Sequence, residues 1–224
     1  MVKAGLFETI WTESTATFER LNVATVNRTD DDKTIVSNQY AGLKEIEKPV
    51  EKPFPFEDVF KGQWYYEYVD QAYQLGLMTG ATETLFKPAV SMNRGMVAIV
   101  LHRMEGAEDV AYAPIFPDVY DKQYFTTAVM WAKQTGIITG YNNGTFMPLK
   151  EVTREEMATM IYNFAKYKGL NVKSNKDITY FNDYAKITPY ARVTIAWAVE
   201  NGIYVPENGK LNPTAMAPRS LAAQ

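Results

Sequence analysis

The chain contains no cysteine and a single histidine, His102, in 224 residues. Without cysteine there are no disulfides, no thiol nucleophile and no thiolate metal site, a composition that permits an extracellular location without requiring one. One imidazole leaves a histidine metal centre or a Ser/His/Asp triad short of partners, and His102 reads as a surface histidine on a helix. An excess of one charge is also missing: 23 basic residues face 26 acidic ones, for a formal net charge of −3. Phosphate recognition needs a concentrated basic surface, so nucleic acid is not expected as a partner. No apolar run approaches the roughly 20 residues of a membrane span, which argues against membrane insertion. The opening MVKAGLFETIW lacks a basic segment followed by an apolar core, so it is no signal peptide, and an export signal would lie upstream.

What is present is ample apolar material and a period. At 46% hydrophobic and 22% charged, the chain has enough to build one or two packed cores. Phe56, Asp58 and Val59 recur sixty residues later as Phe116, Asp118 and Val119. The same shift carries Gly76 to Gly136, Gly80 to Gly140, Phe86 to Phe146, Pro88 to Pro148 and Arg94 to Arg154. A third copy follows at a shift of 65, through Phe181, Asp183, Pro213 and Arg219, while Trp131 maps to Trp197 at 66, so one residue is lost between Gly202 and Pro213. Self-similarity at this spacing is the mark of a repeat architecture.

Each copy reads as helix, loop, helix. In the second, Ala128, Trp131 and Ala132 share a helical face, and Gly136 suits the left-handed residue that stops a helix. The run GIITGYNNGTFMP then breaks regular structure. A second helix begins at once: Thr153 with Glu156 fits a capping box, and Met157, Met160, Ile161 and Phe164 form an apolar stripe. Val97, Val100, Leu101 and Met104 match that stripe in the first copy. In the third, Thr188 and Pro189 suit the N-cap and first position of the opening helix.

These features divide the chain into five parts. Residues 1–43 carry Thr, Val and aromatic residues in short runs and read as a β-rich remnant of an upstream domain. Residues 44–55, KEIEKPVEKPFP, read as a proline-punctuated charged linker. The copies occupy 56–113, 114–178 and 179–224, the third stopping a few residues into its second helix, as expected of a truncated, fraying end. The fold class expected is therefore mainly α, three helix-loop-helix repeats preceded by a short β-rich segment.

With FPDV at 116, GIITGYNNGTFMP at 136 and VTREE at 152 in order, the pattern resembles the S-layer homology family. That family pairs an aromatic-x-Asp-Val opening with a Gly-rich loop and a Thr-Arg-Ala-Glu signature. The resemblance implies a pseudo-threefold bundle with the second helices gathered centrally and grooves between neighbouring copies. It also implies that the grooves bind secondary cell-wall polysaccharide bearing pyruvate ketals, or a peptidoglycan-linked glycan, and so tether exported proteins to a bacterial wall without catalysis or a cofactor. Carried over by position, the signature arginine falls on Arg94, Arg154 and Arg219, the opening aspartate on Asp58, Asp118 and Asp183, and the loop glycine on Gly80 and Gly140. The third copy offers Pro206 in place of that glycine. The first copy reads MNRG and the third APRS where the family has its signature, so Asn93 can cap and Pro218 cannot.

The chemistry has a physical reason apart from the resemblance. A helix N-terminus carries partial positive charge and disfavours a cation by roughly 0.3–1 kcal/mol, yet an arginine stands there in every copy. One compensation is an acidic ligand held by guanidinium and free helix N–H groups; the other is an ion pair with the aspartate of the same or a neighbouring copy. Aromatic rings complete a sugar site by stacking on pyranose C–H faces. Trp64 and Tyr141, beside loops, suit that role, whereas Trp131 and Trp197 suit core packing. The aspartates serve equally well as turn residues. TDDD at 29–32 lacks the ligand spacing of a calcium loop and reads as a solvated turn, so no metal site is expected. Two other readings stay open: the anchor of a wall- or polysaccharide-active enzyme whose catalytic domain lies upstream, and a helical scaffold for protein partners.

Overall fold

The computed structural model describes residues 52–224. The strands read in 1–43, the TDDD turn and most of the linker lie outside the described residues. Within them the protein is helical: α1 (Tyr66–Gln74), α2 (Arg94–Glu105), α3 (Thr126–Gln134), α4 (Arg154–Tyr167), α5 (Arg192–Glu200) and α6 (Arg219–Ala223). Two 3-10 turns, Tyr184–Lys186 and Pro189–Ala191, precede α5, and β-pairing among the described residues is confined to isolated bridges.

Helix α4 forms where its caps and stripe place it. Thr153 accepts from the Glu156 N–H while Glu156 reaches back to the Thr153 N–H, closing the capping box. Met157, Met160 and Phe164 are buried in one core, and Ala158 and Ala165 in another. In α2 the Asn93 side chain accepts from Met96 N–H, and the helix ends at Gly106 with φ 62°. Asn93 therefore caps without the acidic partner of the box. The opening of the third copy has Thr188 before the helix and Pro189 at its first position, as expected, but the first turn, Pro189–Ala191, is 3-10 and runs directly into α5 at Arg192. The Thr188 side chain makes no capping bond; its hydroxyl and its N–H donate to Glu155.

The helices pack between copies rather than within them. Helix α2 lies on α3, α4 on α5, and α6 on α1, so the second helix of each copy packs on the first helix of the next and the third closes on the first; α2 also meets α4. The backbone repeats this cycle at the axis. Met92 N–H donates to Ala217 O (2.8 Å), Ala217 N–H to Val152 O (2.9 Å), and Val152 N–H to Met92 O (2.9 Å). All three residues are buried, and the closed triangle satisfies six backbone groups that would otherwise be costly there. The pseudo-threefold arrangement is thus built into the hydrogen bonding.

Side-chain size is matched across the seams. A Cβ on Gly95 would come within 3.0 Å of the Phe125 Cβ and Cγ atoms, so the first copy's departure from the signature makes room for a ring. At the corresponding second seam, Glu155 reaches Thr188 and the residue in the place of Phe125 is the small Ala191. The end of the linker also belongs to the bundle. Lys52 exchanges hydrogen bonds with the Gln74 amide, and Phe54 packs 5.2 Å from Phe56 and 5.3 Å from Tyr66.

Candidate functional site

Each opening aspartate holds its own loop. Asp58 accepts from Phe86 N–H (2.8 Å) and Lys87 N–H (2.7 Å), Asp118 from Phe146 N–H (2.9 Å) and Met147 N–H (2.6 Å), and Asp183 from Leu211 N–H (2.8 Å) and Asn212 N–H (2.7 Å). The second donor in each pair has positive φ, 58° at Lys87, 55° at Met147 and 51° at Asn212, and a proline follows it. Both carboxylate oxygens are used to hold a backbone turn that L-residues adopt reluctantly. Among the described residues no aspartate comes within ion-pair distance of an arginine. The ion pair between these two sets, one of the two compensations left open by the sequence, is absent among the described residues, and two separate devices stand in its place.

The second device is the arginine, which reaches into the loop of the next copy. Arg94 Nε donates to Phe146 O (2.9 Å), Arg154 Nη2 to Val205 O (2.9 Å), and Arg219 Nε to Phe86 O (2.8 Å) with its Nη2 on Thr79 O. The helix N–H groups beside them are not free, contrary to expectation. Arg94 and Gly95 donate to Lys150 O and Pro148 O, Arg154 and Glu155 to Ala215 O and Pro213 O, and Arg219 and Ser220 to Val90 O and Pro88 O. Carbonyl oxygens of the neighbouring loop thus supply the negative partner that the helix end and its cation require. The three arginines are 5–8% exposed and serve as interlocks between copies.

The three seams nevertheless differ. Among the described residues Arg94 has no carboxylate within 4.0 Å, and none accepts from its Nη1 or Nη2. Its guanidinium lies 4.6 Å from the Tyr141 ring centre and 4.7 Å from that of Phe146. Arg219 lies 4.5 Å from the Phe86 ring; burial pushes its pKa below the ordinary arginine value, and the charge of Asp58 works the other way. Among the described residues, Arg154 is the one of the three with an acid beside it, Glu207, at 3.0 Å. Its Nε is buried without a partner, because Tyr204 donates its hydroxyl to Leu211 O, the counterpart of the carbonyls that Arg94 and Arg219 use. Leu211 replaces the Phe86 and Phe146 rings, and Tyr204 supplies the missing ring at 4.6 Å. Arg154 and Tyr204 also line an apolar cavity of ≈ 10 Å³ with Met157, Ala158, Ile161, Ile203 and Leu221.

Residues 55–95 and 115–158 match the model of the S-layer homology domain. These two segments are S-layer homology domains. Beyond them, Asp183 and Arg219 repeat the loop-holding and loop-reaching contacts seen in these two segments. An endoglucanase from Bacillus sp. (strain KSM-635) is 31% identical over 139 residues, 62% of this chain and 15% of that protein. A cellulosome-anchoring protein from Acetivibrio thermocellus is 32% identical over 89 residues, 38% of this chain and 20% of that one. A surface-layer 125 kDa protein from Lysinibacillus sphaericus is 26% identical over 157 residues, 68% and 13% respectively. The chain spans a fifth or less of the length of these relatives.

Around the seams the aromatic residues divide by register. Trp64, Tyr124 and Tyr190 stand at equivalent places before the first helix of each copy and are 58%, 61% and 54% exposed. Tyr124 accepts from the Asn93 amide (3.0 Å), beside Arg94. Trp131 and Trp197 are buried, and His102 is half-buried with its ring 5.3 Å from Trp131. Tyr141 donates to Glu156 (2.7 Å), and Lys150 donates to both (2.8 and 2.9 Å). Gly80 and Gly140 are tight spots: a Cβ on Gly140 would lie 2.6 Å from the Phe116 ring and 2.9 Å from Thr145 O, and one on Gly80 2.1 Å from Thr82 O. Lys150, Tyr204 and Glu207 join the seams without having been singled out as seam residues from the sequence. Among the described residues no group of acids and histidine is placed to hold a metal, and no helix is long and apolar enough to cross a membrane.

Proposed function

We propose that the chain is a non-catalytic anchoring module that holds a larger protein on the bacterial cell wall. Its ligand is a secondary cell-wall polysaccharide or peptidoglycan-linked glycan carrying carboxylates, such as pyruvate ketals, bound in the seams between copies. The observation that carries this reading is Arg94: a buried cation whose two terminal nitrogens have no protein acceptor among the described residues and which faces no carboxylate there. A charge in that state gains from an anionic partner. Tyr124 and Tyr141 flank it, and Trp64 and Tyr190 stand at the equivalent rims, suited to stack on sugar rings. Asp58, Asp118, Asp183, Gly80 and Gly140 contribute by shaping the loops, while Arg219 offers a second cation and Arg154 one already paired.

The names of the relatives agree with a place at the cell surface, one an anchoring protein and another a surface-layer protein. The cargo has a second reading. Endoglucanase, exoglucanase and xylanase relatives share 9–16% of their length with this chain, which favours a polysaccharide-degrading enzyme as the protein being anchored. Purified chain is expected to co-sediment with wall sacculi that retain their polysaccharide and to stay in solution with sacculi stripped of it. Equal pelleting with both would overturn the reading. Arg94→Lys, which keeps the charge but not the planar fork, is expected to weaken pelleting more than Lys173→Gln on the exposed surface.

A further inference from the structure

The three loops place different residues at one equivalent position. Ala81, Tyr141 and Glu207 each follow the tight Gly80, Gly140 or Pro206, and each N–H makes the same loop-closing bond, to Leu85 O, Thr145 O and Lys210 O respectively. This position faces the incoming arginine. Tyr141 lays its ring against Arg94, and Glu207 puts a carboxylate oxygen 3.0 Å from Arg154 Nη1. The residue lost from the third loop leaves the Val205 carbonyl on Arg154 Nη2, just as Thr79 O sits on Arg219 Nη2. This seam thus keeps a carbonyl on the arginine Nη2 although it has lost the one on Nε, and Arg154 carries an acid as well.

We infer that Glu207 is a built-in occupant of the third-loop seat, a carboxylate held where an anionic glycan group would bind, so that the Arg154 seam is closed to acidic ligand while the Arg94 seam is open. The inference rests on the proposed carboxylate-binding role of the seams and assigns specificity within it. Glu207 is suited to the part because its own side chain is 61% exposed while that of Arg154 is 6% exposed: the acid comes from the solvent side, along the route a ligand would take. The apolar cavity on which Arg154 borders offers no second way in, since it amounts to ≈ 10 Å³. A carboxylate ligand must displace Glu207 before it can pair with Arg154, and the displaced acid then repels it.

The test is a titration with a methyl hexopyranoside carrying a pyruvate ketal, followed through the guanidinium NMR signals of each arginine in the chain and in Glu207→Gln. Glu207 stands on an exposed loop, and a thermal melt of the variant verifies its fold. In the unaltered chain the Arg94 signals are expected to move at lower probe concentration than those of Arg154. In Glu207→Gln the Arg154 signals are expected to respond at about fivefold lower probe concentration than in the unaltered chain, the gain matching loss of one half-exposed ion pair. If Arg94 responds but Arg154 behaves identically in both proteins, the occupant role of Glu207 is overturned and the anchoring reading stands. If no arginine responds in either protein, the carboxylate-binding reading of the seams falls and this inference with it.

Discussion

Asp118 shows how a residue type and a spacing translate into one physical role. Its two oxygens take two consecutive N–H groups, the second belonging to a residue with φ of 55°. Asp118→Ala leaves both donors short of partners and the turn unsupported, and a loss of about 3 kcal/mol is expected in urea unfolding. The spacing of Asp58, Asp118 and Asp183 was legible in the sequence, but what they hold was not. The left-handed residue beneath each one can be Lys87, Met147 or Asn212, so no residue type marks it. Glu156 makes a prediction in pH. Although burial works against its charge, hydrogen bonds from Lys150, the Thr153 N–H and Tyr141 outweigh it and hold the carboxyl below its ordinary value; burial works against the charge of Lys150 too, and its bonds to Tyr141 and Glu156 outweigh that and raise it above its own. The Glu156 contribution to stability is thus present above the ordinary carboxylate value and lost as pH falls through the depressed one, whereas that of Lys150 is lost only as pH rises through its raised value. Melting of Glu156→Gln, scanned from pH 7 to 3, is expected to fall less steeply below pH 4.5 than that of the unaltered chain.

At the scale of elements, the parts with a local cause were the readable ones. The capping box of α4, the Asn93 cap of α2 and the helix stop at Gly136 depend on residues within a few positions of one another. The start of the third copy's opening helix at Thr188 and Pro189 was legible too, but not that its first turn is 3-10 or that the Thr188 hydroxyl goes to Glu155, 33 residues earlier. Gly95 is the same lesson in reverse: it departs from the family signature, and the reason, the Phe125 ring against it, lies in the next copy. The glycine loops make a prediction at this scale. Gly140 has φ of 79°, and a Cβ there meets Phe116 at 2.6 Å and a carbonyl oxygen at 2.9 Å. Gly140→Ala is expected to lose about 3 kcal/mol or more by combined strain and overpacking, measured as a drop in unfolding midpoint. A loss below about 1 kcal/mol would mean that the loop relaxes freely.

For the whole molecule the decisive feature is cyclic closure. The repeat could be counted in the sequence, and the resemblance implied a pseudo-threefold bundle, but the triangle of Met92, Val152 and Ala217 and the handing of each arginine to the next loop need three-dimensional placement. Glu207 escaped attention for a related reason: the residue lost from the third loop blurs which position faces Arg154. Because no copy keeps its backbone satisfied alone, residues 52–224 are expected to unfold in one transition, with calorimetric and van't Hoff enthalpies equal. Two separated transitions would show that the copies are independent. The central claim is that an open guanidinium in a seam between copies recognises an acid on the wall glycan. Its most direct test is equilibrium titration of the chain with wall glycan carrying pyruvate ketals and with the same glycan after the ketals are removed. The account predicts roughly ten- to hundredfold weaker binding without them, the worth of one charge-assisted contact; equal affinity for the two glycans would contradict it.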